Sequence, residues 1–418
     1  MKISHHFYMG CIIFVIGAFA QAADYPQWLP PADQVKNTLA NLPQLRASRF
    51  GLLVEQANAG RLRAGSQEWV ARAGMQQRRE RIGQDYFENE LALERPIRFA
   101  TKMDKDIALG ENGIEVADAA LADNWHEAAR MLMALWFGWL REERHALRLQ
   151  DYARVLEREL QIVQKRVKAG DAPRMEMMLA ETELAKAQSA QAQALRRALL
   201  LATEIEKKFP GVIASVPAAL PAPLPLEDSA IYWQQKILTD NHELELAELT
   251  AQHEKLLAER IALERQPDPT IGVRMARERG GSEQIFGMTF SMPLPGEYRR
   301  KQTDAALARA QVAQEHALET RVKVESTAMQ VAMQAASAPS LWKQLADVAA
   351  RTEANAALVS RAYALGEAPL SDTLLARRHA IEALGIAEQT QIDALESWSR
   401  LLLDTHAIWS LHEGHEHR

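Results

Sequence analysis

Two short segments in different halves of the chain share one pattern. Each contains a glycine, an acidic residue, alanine and proline, at residues 170–173 and again at 366–369, an offset of 196 residues. Two other landmarks recur at nearly this offset: residues 95–97 with 292–294, and the segments that begin at Asn41 and Asn241. A period this long predicts a structural unit that occurs twice, because solenoid repeats are much shorter.

The first 23 residues are expected to be a secretory signal peptide. An apolar stretch, Cys11–Ala20, precedes a small-x-small cleavage pattern, Ala20-Gln21-Ala22. A transmembrane anchor is the alternative, but the apolar stretch is shorter than the roughly 20 residues that a span needs. Cys11, the only cysteine, lies at the start of this stretch, so a lipidated cysteine is not expected. The mature chain then has no disulfide and no thiol chemistry.

Composition favours long helices and excludes several functions. Ala, Leu, Glu, Gln and Arg dominate long stretches, and aromatic residues make up only 6%. The net charge of −6 is spread along the chain without a basic block, so no nucleic-acid partner is expected. No apolar run of about 20 residues follows the leader, so insertion into a membrane would have to use a β-barrel. No catalytic set or phosphate-binding loop is present, so neither an enzyme nor a cofactor is expected.

Residues 24–208 are predicted to form the first repeat. Its elements are a helix over 34–66, a β-hairpin at about 67–95 with strands over 67–79 and 84–95, a helix over 102–168 that only the Gly110–Gly113 region interrupts, and a helix to 208. The long helix carries an apolar stripe at coiled-coil spacing, formed by Leu149, Tyr152, Leu156, Leu160, Val163 and Val167. Gly170 and Pro173 are predicted to reverse the chain, because glycine ends helices and proline begins them.

A proline-rich linker over residues 209–227 separates this unit from the second repeat, residues 228–406. The predicted order is the same: a helix over 228–265, a β-hairpin at about 269–293, a long helix to 364, a turn at 366–369 and a helix to 406. Residues 407–418 form a histidine-rich tail. The chain is therefore predicted to be mainly α-helical with a small β part.

Each predicted strand alternates apolar and charged side chains. Phe87, Leu91 and Leu93 share one face, whereas Glu88, Glu90 and Glu94 share the other. The apolar face suits lipid and the charged face a water-filled lumen, although a soluble β-sandwich cap is the alternative. Because a single-chain barrel needs about eight strands, several chains would have to contribute. The long helices, about 100 Å each, suggest a sheet or tube of helical hairpins.

This order of elements resembles the TolC family of bacterial outer-membrane efflux channels over nearly the whole mature chain. The resemblance also rests on the proline that ends the second strand of each half, and on Arg166-x-x-x-Gly170 followed by Met178-Leu179-Ala180. In the second half, Gly366 is followed by Asp-Thr-Leu-Leu-Ala at residues 372–376. Chain length and the Pro293-Leu294-Pro295 element are more similar to the heavy-metal (CzcC-like) branch than to the multidrug branch.

The resemblance implies a homotrimer with a trimeric α-helical barrel across the periplasm and a 12-stranded β-barrel in outer-membrane lipid, four strands per chain. It implies a passive exit duct of a tripartite efflux system for metal ions, drugs or other small molecules. A periplasmic adaptor (membrane-fusion) protein and an inner-membrane pump, of the RND type, would be its partners. The alternative is a periplasmic coiled-coil scaffold without a pore, which would not need two lipid-suited strand pairs.

The resemblance also identifies the periplasmic entrance. In the family, the turns that follow the long helices form the entrance tip. The corresponding residues here are Gly170, Asp171 and Pro173 in the first turn and Gly366, Glu367 and Pro369 in the second. Multidrug members carry an arginine in the second turn that helps to latch the entrance closed. This chain has Ala368-Pro369 there, and Arg174 in the first turn is a candidate replacement.

Glu176 and Asp372 occupy the acidic positions that face the constricted entrance in the family. Three copies of each carboxylate would repel one another and bind cations. The simpler interpretation is an acidic residue in the first turn of a helix, which the helix dipole favours.

Other candidate groups have competing interpretations. His412, His415 and His417 in the tail could bind Zn²⁺, Cu²⁺ or Ni²⁺, or could belong to a solvated tail without fixed geometry. The aromatic group at residues 136–139 is predicted to pack between helices rather than to bind a ligand. Trp69, Tyr86 and Phe87 could form an interfacial belt or lie in the core or lumen.

Overall fold

A computed structural model describes residues 25–217 and 219–411. Each half contains two short helices, two strands, a very long helix and a final helix. The sequence predicts this order, but with one helix in place of the two short ones. The elements are α1 (Ala32–Asn41), α2 (Pro43–Ala64), β1 (Val70–Arg78), β2 (Tyr86–Pro96), α3 (Ala100–Ala169), α4 (Arg174–Lys208), α5 (Ala230–Thr239), α6 (His242–Ala262), β3 (Thr270–Glu278), β4 (Glu283–Ser291), α7 (Glu297–Ala364) and α8 (Leu370–Asp404). The predicted mainly helical, duplicated fold is confirmed. Within the described ranges, no helix has both the length and the apolar character of a membrane span.

The long helix α3 is continuous over 70 residues, about 105 Å at 1.5 Å per residue. The expected interruption near Gly110 and Gly113 is wrong. These glycines instead allow a close helix crossing, because a Cβ atom at Gly110 would lie 2.8 Å from the Cα of Ala59 on α2. The predicted apolar stripe is confirmed, since Leu149, Leu156 and Val163 are buried.

The shorter helices differ from their prediction as single helices over 34–66 and 228–265. The first divides at Leu42, which is extended at φ −61° and ψ 136°, because a residue before proline is disfavoured in the helical region. The second divides before α6, where the side-chain Oδ1 of Asn241 accepts a hydrogen bond of 2.9 Å from the backbone N–H of Leu244 and caps the new helix.

The two long helices differ in whether they contain a proline. The 68-residue helix α7 contains a buried proline, Pro339, whereas α3 contains none. Proline has no N–H and removes one backbone hydrogen bond from the helix. Two nearby hydroxyl groups bond to the backbone: Ser337 donates to the carbonyl of Met333 at 2.8 Å, and Ser340 donates to that of Ser337 at 2.9 Å. The two long helices therefore differ in their backbone hydrogen bonding.

The largest apolar cluster lies midway along α3 and contains Trp136, Phe137 and Trp139, which confirms that these aromatic residues pack between helices. Both ends of the described chain accept hydrogen bonds from tryptophan side chains of this cluster. The indole N–H of Trp125 donates to the carbonyl of Trp409 at 2.7 Å. The indole N–H of Trp136 donates to the carbonyl of Trp28 at 2.8 Å. The segment that follows α8 therefore belongs to the core of the fold.

Three histidines meet where that C-terminal segment leaves α8. The ring centroids of His126, His242 and His406 are 4.6 to 6.3 Å apart. Burial lowers the pKa of His126 to about 2, with further lowering by the charges of Arg130 and His406. Burial also lowers the pKa of His406, and the charge of His242 adds to this effect. Both rings are therefore neutral near pH 7.

Acid is expected to destabilise this part of the fold. Because the pKa of His126 is lower in the folded than in the unfolded chain, its contribution is fully present above about pH 6.5 and is lost as the pH falls from 6.5 towards 2. Between pH 7 and pH 5, this group alone should lower the free energy of unfolding by about 2 kcal/mol. Urea titrations at both pH values measure the loss.

The His126→Gln substitution should reduce that pH dependence while it retains an N–H donor for the carbonyl of Leu403, which lies 3.1 Å from the His126 Nε2. His316 is the matched control, because its side chain is 73% exposed. An unchanged pH dependence in the His126 variant would show that this ring does not control acid sensitivity.

An ion network joins the helices to the sheet, and we call it the joint network. Lys102, only 1% exposed, places its Nζ 2.9 Å from Asp268 and 3.3 Å from Glu264. Glu264 also pairs with Arg260 at 2.6 Å and with Arg299 at 3.1 Å. The start of α3, the end of α6, the segment before β3 and the first turn of α7 therefore meet at one charged cluster.

Candidate functional site

The four strands form one antiparallel sheet in the order β1-β2-β3-β4, with open edges at β1 and β4. Leu91 lies opposite both Ala73 and Met275, and Val273 lies opposite Met288. Because side chains alternate along a strand, this register separates two faces. We call the apolar one the outer face: Ala71, Ala73, Met75, Phe87, Leu91, Leu93, Ile271, Val273, Met275, Phe286, Met288 and Phe290. The predicted alternation is confirmed.

The opposite, inner face carries charged side chains that pair across the strands. Arg72 lies 3.2 Å from Glu94, and Arg274 lies 3.0 Å from Glu90. Arg78 pairs with Glu88 at 2.8 Å and with Glu278 at 2.9 Å. Small residues separate these pairs. At Gly272 a Cβ atom would lie 2.6 Å from both the Glu94 side chain and the Thr289 hydroxyl, so this glycine is required for close packing.

The outer face is an exposed apolar band with polar ends. In the chain, Met75 is 89% exposed, Met288 84% and Phe286 78%. At the end nearest the long helices, the guanidinium of Arg95 lies 5.4 Å from the ring centroid of Trp69. At the other end, Arg277 is paired in register with Asn89 and Gln284. Of the three predicted belt aromatics, Trp69 and Phe87 are exposed, whereas Tyr86 is half-buried.

The two predicted tip turns have the same backbone geometry. Gly170 and Gly366 both have φ +82°, a left-handed conformation that glycine adopts without steric cost. In the first turn Gly170 donates its N–H to Val167 at 3.1 Å and Asp171 to Arg166 at 2.8 Å. In the second, the corresponding bonds are 3.0 and 2.9 Å. These pairs define a Schellman motif at each helix end. Pro173 and Pro369 then precede α4 and α8.

The side chains around the two turns are largely exposed. Asp171, Arg174 and Glu367 are all exposed. Their place at an entrance stays a prediction. Within the described residues Arg174 forms no ion pair, and its part in a latch stays a prediction.

Glu176 and Asp372 stand at equivalent sequence positions in different surroundings. Asp372 is exposed, and the hydroxyl of Ser371 donates to its Oδ1 at 3.2 Å. Glu176 is half-buried, and its Oε2 is buried without a hydrogen-bond partner in the described part of the chain. The structure therefore brings only Asp372 fully into solvent.

A contact that the sequence reasoning missed connects the two hairpins near their tips. The guanidinium of Arg166 on α3 lies 5.1 Å from the ring centroid of Tyr363 on α7. Burial raises the pKa of the Tyr363 hydroxyl, and the charge of Arg166 opposes this shift. The only sequence signal is position, because both residues lie within four residues of a turn glycine.

Further ion pairs follow the seam where α3 and α4 contact α8. Arg377 lies 3.1 Å from Glu159, and Arg378 lies 3.2 Å from Glu183. Higher along the seam, Arg144 lies 2.7 Å from Glu388, and Arg148 pairs with the same carboxylate. Opposite charges thus hold the two hairpins together along much of their length.

The predicted metal-binding tail, His412, His415 and His417, lies outside the described residues. Among residues 25–217 and 219–411, no group of three or more His, Cys, Asp or Glu side chains is arranged to hold a metal ion.

Comparisons with known proteins show the fold of this chain. No family model and no curated protein matches the sequence. Among solved structures, the Campylobacter jejuni outer membrane channel CmeC superposes with a TM-score of 0.74 at 11% identity, over 99% of this chain and 95% of that chain. VceC, an outer membrane protein from Vibrio cholerae, gives 0.71 at 15% identity over 91% and 99%. The open state of the Neisseria gonorrhoeae channel MtrE gives 0.67 at 15% over 91% and 89%. The chain therefore has the fold of outer-membrane channel proteins, as its resemblance to the TolC family implied.

Proposed function

We propose that the protein is an outer-membrane exit duct of a tripartite efflux system and extends into the periplasm. The observation that carries this proposal is the exposed outer face of the sheet, opposite an inner face of ion pairs. An apolar band of this kind is stable against lipid and unfavourable in water. The charged inner face suits a water-filled lumen.

The proposed assembly is a homotrimer. In a single chain, β1 and β4 have unpaired edges, which natural proteins pair or cover. The α7 helix also exposes apolar side chains along its length, including Val312 (57%), Val322 (66%) and Leu358 (68%). Three copies would pair each β4 with the β1 of a neighbour into a 12-stranded barrel, and would cover α7 within a helical barrel.

The proposed partners are a periplasmic adaptor and an inner-membrane pump, of the RND type, which would supply the energy. The exposed tips of the hairpins are the proposed end for docking, since Met175 is 74% exposed and Leu365 is 68% exposed. The cargo would be metal ions, drugs or other small molecules. The Pro293-Leu294-Pro295 element supports the heavy-metal branch of the TolC family.

Cell fractionation tests the proposed function directly. The protein should be recovered in the outer-membrane fraction and should migrate as a heat-resistant trimer on gels. A soluble periplasmic monomer would contradict the duct and would favour a coiled-coil scaffold.

Asp372 is expected to control how cations block the proposed entrance. Three exposed carboxylates near one axis would attract divalent cations, so the Asp372→Asn substitution should weaken their block of single-channel conductance by about tenfold. Planar-bilayer recording measures the block. Glu353→Gln, a change of the same charge at an exposed residue of α7, is the control. Equal block in both variants would exclude a carboxylate ring at this position.

A further inference from the structure

At the end of the sheet nearest the long helices, an arginine lies beside an exposed indole. Arg95 is exposed, its Nε donates to the backbone carbonyl of Gln67 at 3.1 Å, and its guanidinium lies over Trp69. These contacts fix the orientation of the guanidinium but satisfy only one of its five N–H groups. No carboxylate pairs with Arg95 in the described part of the chain. The remaining donors are therefore available to an external acceptor.

The segment between β4 and α7 presents similar chemistry. Leu294 is 90% exposed and Tyr298 is 79% exposed, and Pro293 and Pro295 restrict the backbone around Leu294. Arg300 follows one turn into α7. It is exposed, and within the described ranges it has no carboxylate partner. Its neighbours differ, because Arg299 pairs with Glu264 at 3.1 Å and Lys301 with Asp304 at 3.6 Å.

The Arg95 group and the segment around Arg300 lie at the same end of the sheet, the one nearest the long helices. Thr270 is paired in register with Pro96 on one side and with Ser291 on the other, so β2 and β4 end at one level. The backbone N–H of Ile97 donates to the carbonyl of Pro269 at 2.7 Å, which extends this level beyond the strands. The apolar outer face begins immediately beyond it.

We propose that this end of the sheet binds the headgroups of acidic phospholipids in the periplasmic leaflet. The inference rests on the proposed function, since it requires the outer face to be in the membrane. Arg95 would donate a forked pair of hydrogen bonds to a lipid phosphate, and Trp69 would lie at the headgroup level, where an amphipathic ring is favourable. Arg300 would bind a second phosphate, with Leu294 inserted among the acyl chains.

Arg277 lies at the opposite end of the outer face. Arg277 is exposed there, but its register partners are Asn89 and Gln284, and it lies over no aromatic ring among the described residues. Arg277 therefore provides a matched control, because it has the same charge, the same face of the sheet and the same lack of a carboxylate partner.

Native mass spectrometry of the delipidated full-length protein in detergent tests the site. The probes are phosphatidylglycerol, which is anionic, and phosphatidylcholine, which has the same phosphate but no net charge. The wild-type chain should bind phosphatidylglycerol more tightly. Arg95→Gln and Arg300→Gln should each weaken that binding by about tenfold, whereas Arg277→Gln should leave it unchanged.

The outcomes separate the lipid site from the proposed function. A protein that inserts in the outer membrane but binds both lipids equally would overturn the lipid site alone, as would equal losses in the Arg95, Arg300 and Arg277 variants. A protein that never reaches the membrane would overturn both.

Discussion

The Met288→Arg substitution is expected to prevent stable insertion in the outer membrane. Met288 lies in the middle of the outer face and is 84% exposed in the single chain. An arginine at the bilayer midplane of a β-barrel costs about 2–4 kcal/mol. Three copies in the proposed trimer would raise the cost to roughly 6–12 kcal/mol. The measurement is the fraction of protein that is recovered as heat-resistant trimer from outer membranes.

Ile285→Arg provides the control for this experiment. Ile285 is also apolar and lies three residues earlier in β4, but its side chain is on the inner face with the ion pairs. An arginine there would meet water and nearby carboxylates, so insertion should be close to that of the wild type. If both variants insert equally well, the outer face does not contact lipid, and the proposed duct loses its main support.

The second large effect is expected in the joint network. The Lys102→Met substitution retains most of the side-chain volume but removes the buried charge between Glu264 and Asp268. Glu264 keeps Arg260 and Arg299 as partners, but Asp268 loses the ammonium of Lys102. An uncompensated charge left by the loss of a buried partner costs about 3–5 kcal/mol. The free energy of unfolding, measured by urea titration of the detergent-solubilised protein, should fall by this amount.

Lys105 tests whether burial causes that loss. It lies one turn further along α3 and pairs with Glu259 at 2.6 Å, but both side chains are more than one third exposed, at 38% and 39%. An exposed ion pair contributes about 0–1 kcal/mol, so Lys105→Met should have a small effect. Comparable losses at both positions would mean that the network does not act through burial.

Several parts of the fold were predictable because they follow from local patterns. Alternation along the strands assigns Phe87, Val273 and Phe290 to one face, since successive side chains point in opposite directions. The turns follow from Gly170 and Gly366, because a left-handed residue is needed at each helix end. The divisions near Leu42 and Asn241 were missed, because the apolar pattern continues through both positions and only the proline and the capping side chain interrupt it.

The candidate site was less predictable. The sequence correctly located both turns, since their glycines and prolines are local signals. It treated Glu176 and Asp372 as equivalent, whereas their burial depends on which residues the neighbouring hairpin brings close. The Arg166–Tyr363 contact also joins residues far apart in sequence. No periodicity of α3 or α7 alone could identify such a pair.

A bend at the proline in α7 would displace the far end of the second hairpin. Pro339 is separated from the Gly366 turn by about 40 Å of helix, at 1.5 Å per residue. A change of about 10° in helix direction at a proline, the usual place for a helix to bend, would therefore move that turn sideways by roughly 7 Å. The α3 hairpin has no such pivot. In the proposed trimer, three hairpins that can bend at Pro339 would alternate with three that contain no such proline. An opening between the hairpin ends would then widen by movement of the α7 hairpins alone.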